Sequence, residues 1–505
     1  MSGPWVEYDT SVAYDEMLSI EGLPRAGCHD VLARLRSIGN ELFERQQAGE
    51  AAIRSMGITF SLSGPAAGPD GDIDRSWPID LIPRIISHQE WTEVSAGLVQ
   101  RLRALNHFID DLYHDQEVLR DGLVPAALIE QSPNFQPVCR GVRVSNGVWA
   151  HICGTDLVRD GTGRFLVLED NLRIPSGVSY MLENRQVSKR VFADLFRDLD
   201  ILPVEGYLDR LGGTLRELSP RDGVDPIVVV LTPGIYNSAY YEHAFLAARI
   251  GAHLVEGSDL MVEDDVVWMR TVSGPVRVDV IYRRVDDAFL DPDVFDPDSV
   301  LGAAGLISAW RAGNVALANA PGAGVADDKV IYSYVPDLIE YYLAEKPILS
   351  NVETWRLNEP DHRAHVLSDL SRFVCKPANE AGGKGVTIGS QASGAQLEEL
   401  RRQIDADPRN WIAQPILELS TAPTIVDGRV VPRHIDLRPF ILSGPKPYVT
   451  TGGLTRVALR EGSLIVNSSQ GGGSKDTWIV DPSVGCSGQA IDLNNSDLNN
   501  SDLNK

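Results

Sequence analysis

The chain has 505 residues, 43% of them hydrophobic and 23% charged, with a formal net charge of −24. Its length supports two to four domains with sizeable cores, and its composition is that of a globular, water-soluble protein. The acidic excess argues against general nucleic-acid or anionic-membrane binding, both of which need a basic footprint.

The opening MSGPWVEYDTSVAYDE has neither a basic stretch nor an apolar run, so no signal peptide is expected. Asp30 to Gln47 carries Val31, Leu32, Leu35, Ile38, Leu42 and Phe43 at helical spacing and reads as a packing helix. Gly64 to Gly71 reads as a loop, and Trp77 to Pro83 as extended chain. Glu90 to Tyr113 is the strongest predicted helix, with one apolar stripe from Trp91 to Leu112. His88, His107 and His114 share no face with metal-ligand spacing and read as structural or solvated.

From Trp149 to Gly177 the pattern becomes strand, turn, strand, with Asp160-Gly161-Thr162-Gly163 as the hairpin turn. Asp156 on the first strand would then face Glu169 and Asn171 at the end of the second. Such an all-oxygen set suits a hard cation such as Mg2+ shared with phosphates. The alternative is an acidic turn with a capping Asn. Arg173 favours the first reading, because a guanidinium beside a metal can bind phosphate or carboxylate.

Residues 226 to 345 read as a separate α/β unit. Ile227 to Leu231 is an apolar strand, Asn237 to Ile250 a helix and His253 to Val255 a strand, the start of a βαβ unit. Val266 to Arg270 and Val276 to Arg284 continue the strands. Arg283 and Arg284 at a strand end are either a carboxylate clamp or a solvated pair neutralised by Asp286 and Asp287.

The stretch Phe373 to Ile388, FVCKPANEAGGKGVTI, reads as a strand ending at Lys376, a loop with Gly382, Gly383, Lys384 and Gly385, and a second strand. Glycines let backbone N–H groups point at anionic oxygens, and the lysines add charge. The spacing is not that of a Walker loop, and a tight turn is the plainer alternative. Ala395 to Ile404 reads as a helix and Trp411 to Pro415 as a strand carrying Gln414. Arg433 to Ile441 alternates so that Asp436 and Arg438 share a face. Tyr448 to Leu459 carries Gly-Gly and Arg456, and Ile465 to Lys475 is a further strand and glycine loop with Asn467. The terminal DLNNSDLNNSDLNK cannot bury a core and reads as a disordered tail. The five cysteines form no CxxC pair, which favours a reducing, cytoplasmic setting over disulfides or zinc. No apolar run is long enough for a transmembrane helix.

Together these motifs resemble an ATP-grasp ligase in permuted order. Lys376, the loop Gly382 to Gly385 and Gln414 look like the nucleotide-binding set; Arg438 and the stretch Asn467 to Gly473 look like the next segment in that superfamily's usual order. The metal-binding set lies upstream instead, as Gly154-Thr155-Asp156 through Glu169, Asn171, Arg173 and Pro175. Over residues 70 to 480 the chain resembles the circularly permuted ATP-grasp family, related to glutathionylspermidine-synthase-like ligases.

That resemblance implies an α/β (α+β) fold: a permuted ATP-grasp core, an inserted Rossmann-like domain and a helical N-terminal region. The expected division is 1–70 helical; 71–225 ATP-grasp with the metal motif; 226–345 Rossmann-like, for substrate; 346–480 ATP-grasp with the nucleotide site; 481–505 tail. It implies an ATP-dependent carboxylate–amine ligase working through an acylphosphate, with ATP and Mg2+. Lys376 and Lys384 would meet the phosphates under the amides of Gly382, Gly383 and Gly385, with Gln414 and Ile416 at adenine. Asp156, Glu169 and Asn171 would hold Mg2+, and Arg173 and Arg438 would act on the transferring phosphoryl. Tyr236, Asn237, Glu242, His243, Arg283 and Arg284 are candidates for substrate selection. The partners would be a small or peptide carboxylate and an amine, with neither nucleic acid nor membrane; a homo-oligomer stays open. The rival readings are a non-catalytic nucleotide-binding scaffold and a phosphotransferase that stops at phosphorylation.

Overall fold

A computed structural model describes residues 4–5, 7–60, 75–380, 384–463, 466 and 471–480. The loop expected at Gly64 to Gly71, the glycines Gly382 and Gly383, Asn467 and the terminal tail lie outside the described residues.

Strands from distant parts of the chain share one main sheet, ten-stranded among the described residues. Its order runs Ser350–Asn351, Phe165–Asn171, Ile152–Arg159, Arg429–Arg438, Leu454–Val457, Gly473–Val480, Ile79–Ser87. Thr421–Val426 pairs with Arg429–Arg438, while Phe440–Leu442 pairs with Tyr448–Val449 and with Ile152–Arg159. The join between the two halves of the chain is antiparallel, with Leu437 opposite Leu157 and Phe440 opposite Gly154. The outer join is parallel, with Ser474 opposite Ile79.

Both faces of this sheet are covered, and the strand period distributes the core. Ile441 and Ile479 face one apolar cluster; Phe440, Leu442, Trp478 and Val480 face the other. The first cluster holds the apolar stripe of the helix His88–Tyr113, whose N-cap Ser87 accepts the Glu90 N–H. The second holds the N-terminal helices and the helices between Val178 and Glu217. The single helix expected over Asp30 to Gln47 is two, His29–Ile38 and Glu41–Ser55, because Gly39 turns the chain at φ 58°.

The α/β unit holds a four-stranded parallel sheet in the order Ala316–Ala318, Val280–Arg283, Val228–Leu231, His253–Val255. The strand expected over Val276 to Arg284 is divided, with Val276–Arg277 pairing instead with Val266–Met269. The helix expected from Asn237 begins at Tyr240, because the Asn237 side chain accepts the Ala239 N–H and holds a turn. A second four-stranded sheet, antiparallel, runs Trp355–Arg356, Trp411–Pro415, Phe373–Pro377, Thr387–Ile388. The helix Gly394–Ala406, with a Ser393/Gln396 capping box, contributes Leu400 and Ile404 to its core. Among the described residues no helix is long and apolar enough to cross a membrane.

A buried ion cluster ties the N-terminal segment to the sheet. Arg84 donates to both Glu16 carboxylate oxygens, at 2.6 and 2.8 Å, and to the Asp436 carbonyl at 2.9 Å. Burial opposes ionisation of Glu16, but Arg84 and Arg159 outweigh it and hold the carboxyl below its usual range. Removing the carboxylate leaves a fully buried guanidinium uncompensated. Glu16→Ala should therefore lower stability by about 3 kcal/mol or more, measured by urea unfolding; a loss within the range of a surface pair would show that the cluster contributes little.

Candidate functional site

The hairpin Phe373–Ile388 is organised by alternation. Phe373 and Cys375 enter the core of the small sheet, and Val374 and Lys376 take the opposite face, toward a cleft. Lys376 Nζ donates to Gln414 Oε1 at 2.7 Å, and Gln414 Nε2 donates to Thr354 Oγ1 at 3.0 Å. Gly385 sits at φ 72°, and a Cβ there would lie 2.7 Å from Pro377 Cγ, so the turn excludes other residues. Lys384 is largely exposed and lies 3.4 Å from Glu380.

The cleft encloses a cavity of about 230 Å³. Lys376, Lys384 and Gln414 line it from one lobe, and Asp156 and Glu169 from the other. Lys329, Glu380, Asp436 and Arg456 complete its charged wall. Val374, Val386, Ile388, Leu417 and Leu419 form an apolar part, the surface a planar base needs. Ile416 is not among the lining residues; its N–H donates to the Arg372 carbonyl, and its neighbours Leu417 and Leu419 face the cavity instead.

On the large sheet, Asp156 pairs with Glu169 and Gly154 with Asn171, with a register shift just after Asp156. Asp156 is gripped from both sides. Arg438 donates to both of its oxygens, and Arg456 Nη2 donates at 2.6 Å. Arg456 also donates through Nε to Asp436 at 2.9 Å. Burial disfavours a charge on Asp156, yet Arg438 and Arg456 outweigh it and hold the carboxyl well below the usual range. At Asp436 burial prevails over Arg456 and raises the carboxyl.

These contacts bear on where a cation could sit. Asp156, expected as a metal ligand, has both oxygens committed to guanidiniums. Among the described residues no group of three or more His, Cys, Asp or Glu side chains is arranged to hold a metal ion. Glu169 is different: it faces the cleft, 3.6 Å from Lys329 and 3.9 Å from Arg438. Asn171 donates its amide N–H to the Gly154 carbonyl at 3.1 Å. The donor set thus fits Mg2+ held by one or two protein oxygens and completed by substrate phosphates.

The remaining expected site residues lie elsewhere. Arg173 does not reach the cavity: it pairs with Asp327 at 2.9 Å and Asp286 at 3.0 Å, with its stem against Gly324. Arg283 and Arg284 are not a solvent-facing clamp. Arg283 is buried and donates to the Asn319, Val285 and Ala320 carbonyls. Arg284 is buried too, binding the Pro175 carbonyl at 2.6 Å and Glu242 at 3.0 Å. Glu242 accepts the Gly177 and Ser179 N–H groups and so caps the helix Val178–Val191. His243 is buried against Thr232, and burial, then Arg284, lowers its pKa. Arg284 and Glu242 fasten the α/β unit to the loop that follows the carboxylate strand, while Arg283 and His243 make their contacts within the unit. Tyr236 is 90% exposed, and Asn237 is occupied in its turn.

Lys329, Asp436, Arg456, Leu417 and Leu419 were not assigned to the site from the sequence. Asp436 lay on a recognised strand and Arg456 in a Gly-Gly stretch, but only the pairing of Arg456 with both Asp156 and Asp436 reveals them. Lys329 follows two aspartates shortly after the glycine-rich stretch Gly313 to Gly324, which reads as a loop that either borders a ligand or only turns the chain; nothing in the spacing singles out the lysine itself.

The family described as circularly permuted ATP-grasp type 2 matches residues 83–458. An uncharacterised protein of Synechocystis sp. is 50% identical over 478 residues, covering 94% of this chain and 98% of that one. A protein of Frankia casuarinae named "Putative glutamate--cysteine ligase 2-2" is 43% identical over 475 residues, covering 92% of this chain but 53% of its own length. Among solved structures, a glutathione synthetase-like effector of Globodera pallida matches with a TM-score of 0.54 at 11% identity, over 87% of this chain and 97% of that one. At that identity the likeness is one of fold.

Lys376 supplies a pH test. Burial is the main influence on its ammonium and Glu169 opposes it; the outcome is a pKa lowered to about 8. A bound phosphate stabilises the protonated form, so binding near that pH takes up a proton. Affinity for Mg-ATP should fall above pH 8 by up to about tenfold per pH unit. Calorimetric titrations at several pH values in buffers of different ionisation enthalpy measure both effects; a flat affinity from pH 7 to pH 9.5 would remove Lys376 from the phosphate contacts.

Proposed function

The chain belongs to the circularly permuted ATP-grasp type 2 family, and from that premise we propose that it is an ATP-dependent carboxylate–amine ligase. The observation that carries this reading is that Lys376 and Glu169, far apart in sequence and on different sheets, line one cavity with an apolar end and a charged end.

A carboxylate does not condense with an amine at neutral pH, because oxide is a poor leaving group. Transfer of the ATP γ-phosphoryl to the carboxylate forms an acylphosphate and releases ADP. The amine then attacks the acyl carbon, inorganic phosphate leaves with the bonding pair, and the amine loses a proton. The protein's task is alignment and charge neutralisation.

In this reading Lys376 and Lys384 bind phosphate oxygens, with Gly382, Gly383 and Gly385 providing the close-approach backbone. Gln414 holds Lys376 in place, and Leu417 and Leu419 pack on adenine. Glu169 and Asn171 would hold Mg2+, which neutralises charge on the β- and γ-phosphates. Asp156 acts by orienting Arg438 and Arg456, whose guanidiniums border the reacting end. Arg173 reaches the α/β unit rather than the cavity, so its role is to hold the two parts together.

The carboxylate is assigned to the amino-acid or short-peptide class, supported by the name of the Frankia relative, of whose length this chain spans about half. A cytoplasmic setting agrees with ATP as substrate and with four buried, unpaired cysteines, Cys28, Cys139, Cys153 and Cys375.

Incubation with Mg-ATP, a panel of amino acids and peptides, and candidate amines should yield ADP, phosphate and an amide. ADP with a phosphorylated acid but no amide would identify a phosphotransferase. Nucleotide binding without turnover across the panel would identify a scaffold. Glu169→Gln should lower turnover by about 10²- to 10³-fold with an unchanged melting temperature; full activity would overturn the assignment of Glu169. Lys376→Ala should weaken Mg-ATP binding by about tenfold or more, read by calorimetry.

A further inference from the structure

Both halves of the candidate site are tied to one short segment, residues 350–354. On the nucleotide side, Lys376 donates to Gln414 at 2.7 Å, and Gln414 donates to the Thr354 hydroxyl at 3.0 Å. On the carboxylate side, Asp170 lies between Glu169 and Asn171 and accepts from the buried Arg101 at 2.7 Å. Arg101 also donates to the Asn351 side chain at 2.7 Å. The Asn351 amide donates in turn to the Tyr332 carbonyl at 2.9 Å, and the Val352 N–H to the Val167 carbonyl at 2.9 Å.

The same segment lines a second cavity, of about 460 Å³, which shares no lining residue with the cleft. Ser350, Asn351, Glu353 and Thr354 contribute from the segment, Glu340 from the helix Val335–Leu343 and Lys346 from the connection between them. That connection is held to the long helix His88–Tyr113. Gln100 accepts the Ile348 N–H at 2.9 Å and donates to the Lys346 carbonyl at 3.0 Å. Leu349 packs on Gly97, where a Cβ would lie 2.5 Å from the leucine Cγ. Glu340, Lys346 and Glu353 are exposed and, among the described residues, have no ion-pair partner. Two carboxylates and one ammonium thus border a cavity of ligand size without neutralising one another.

We propose that this cavity is a regulatory site for a basic amino acid, and that its occupancy strengthens nucleotide binding in the cleft. Binding there rests on the cavity alone; the effect on nucleotide rests on the ligase reading above. The lining charges call for their complement, two ammoniums for Glu340 and Glu353 and one carboxylate for Lys346. The Ser350 hydroxyl adds a donor to that carboxylate. These contacts are open to solvent, so binding is weak and follows the concentration of the ligand, as an effector site requires.

A nucleotide must hold Lys376 and Glu169 against one another, which orders residues 350–354 through Gln414 and through Arg101. An amino acid bridging Lys346 and Glu340 to Glu353 orders the same residues beforehand, so the nucleotide loses less freedom on binding. By reciprocity, nucleotide tightens the amino acid by the same factor.

The test is calorimetry on the full-length protein with L-lysine as the probe. L-Lysine should bind with a dissociation constant of about a millimolar. Cadaverine, which lacks the carboxylate, and 6-aminohexanoate, which lacks the α-ammonium, should each bind about threefold or more weakly. The double variant Glu340→Gln/Lys346→Gln changes two exposed side chains and should weaken L-lysine about tenfold. L-Lysine binding that the double variant leaves unchanged would lie in the catalytic cleft and overturn the proposal, as would no binding at all. Saturating L-lysine should tighten β,γ-imido-ATP with Mg2+ by about fivefold or more. That gain should disappear in Thr354→Val, which cuts the link to Gln414 and keeps the cavity charges. Nucleotide affinity that L-lysine leaves unchanged or lowers would overturn the proposal. If the protein binds L-lysine but no nucleotide, the cavity assignment is upheld and the ligase reading fails.

Discussion

Asp156 lies between two guanidiniums, Arg438 and Arg456, and this buried contact is the joint on which the molecule depends. The carboxylate comes from the upstream half of the chain and both arginines from the downstream half. Their strands are consecutive in one sheet, with that of Arg438 between those of Asp156 and Arg456, so the ion contact and the backbone ladder select the same register. A buried carboxylate is costly unless its charge is matched and its oxygens are occupied. Here two cations more than match it, and Asp436 takes the surplus of Arg456. Slipping the join by one residue would turn Asp156 away from the arginines and leave a buried carboxylate unpaired, with only Arg456 keeping a partner in Asp436.

The same joint places the chemistry. With Asp156 held, Glu169 across the ladder is directed at the cleft, where Lys376 and Lys329 approach from the other side. In this strongly acidic protein Lys329, Lys376, Lys384 and Arg456 line the cavity beside Asp156, Glu169, Glu380 and Asp436, so the acidic excess of the chain is balanced there, and low dielectric strengthens each contact. The α/β unit is fastened to this site from behind: Glu242 caps the helix that follows Gly177, Arg284 binds the Pro175 carbonyl, and Arg173 reaches back to Asp286 and Asp327. Movement of that unit would be felt at the carboxylate strand through these links.

The recognisable part of the site was carried by short local patterns. A strand lysine, a glycine turn and a carboxylate–Asn pair across a hairpin are each set by residues within about twenty positions, and alternation alone puts their side chains on one face. Arg283 and Arg284 show the limit of that reasoning. Paired arginines at a strand end read as a clamp or as a solvated pair neutralised by their own aspartates; burial turns them inward, Arg283 to carbonyls and Asp287 and Arg284 to the Pro175 carbonyl and Glu242. Ile416 shows another: the strand ends at Pro415, the two-residue alternation stops, and the faces of the next residues follow the loop rather than the period.

By itself the amino-acid order determined most of the elements and which face of its strand each of Lys376 and Glu169 takes, because periodicity and turn residues are local. The permuted order of the motifs came from their resemblance to the ATP-grasp family. Only the tertiary structure decided that Asp156 is an anchor for two arginines, that Arg173 and Arg284 face inward, and that Lys329 joins the cleft. Each of these depends on which distant charge is nearest after burial, and pairing across hundreds of residues leaves no periodic trace in the chain.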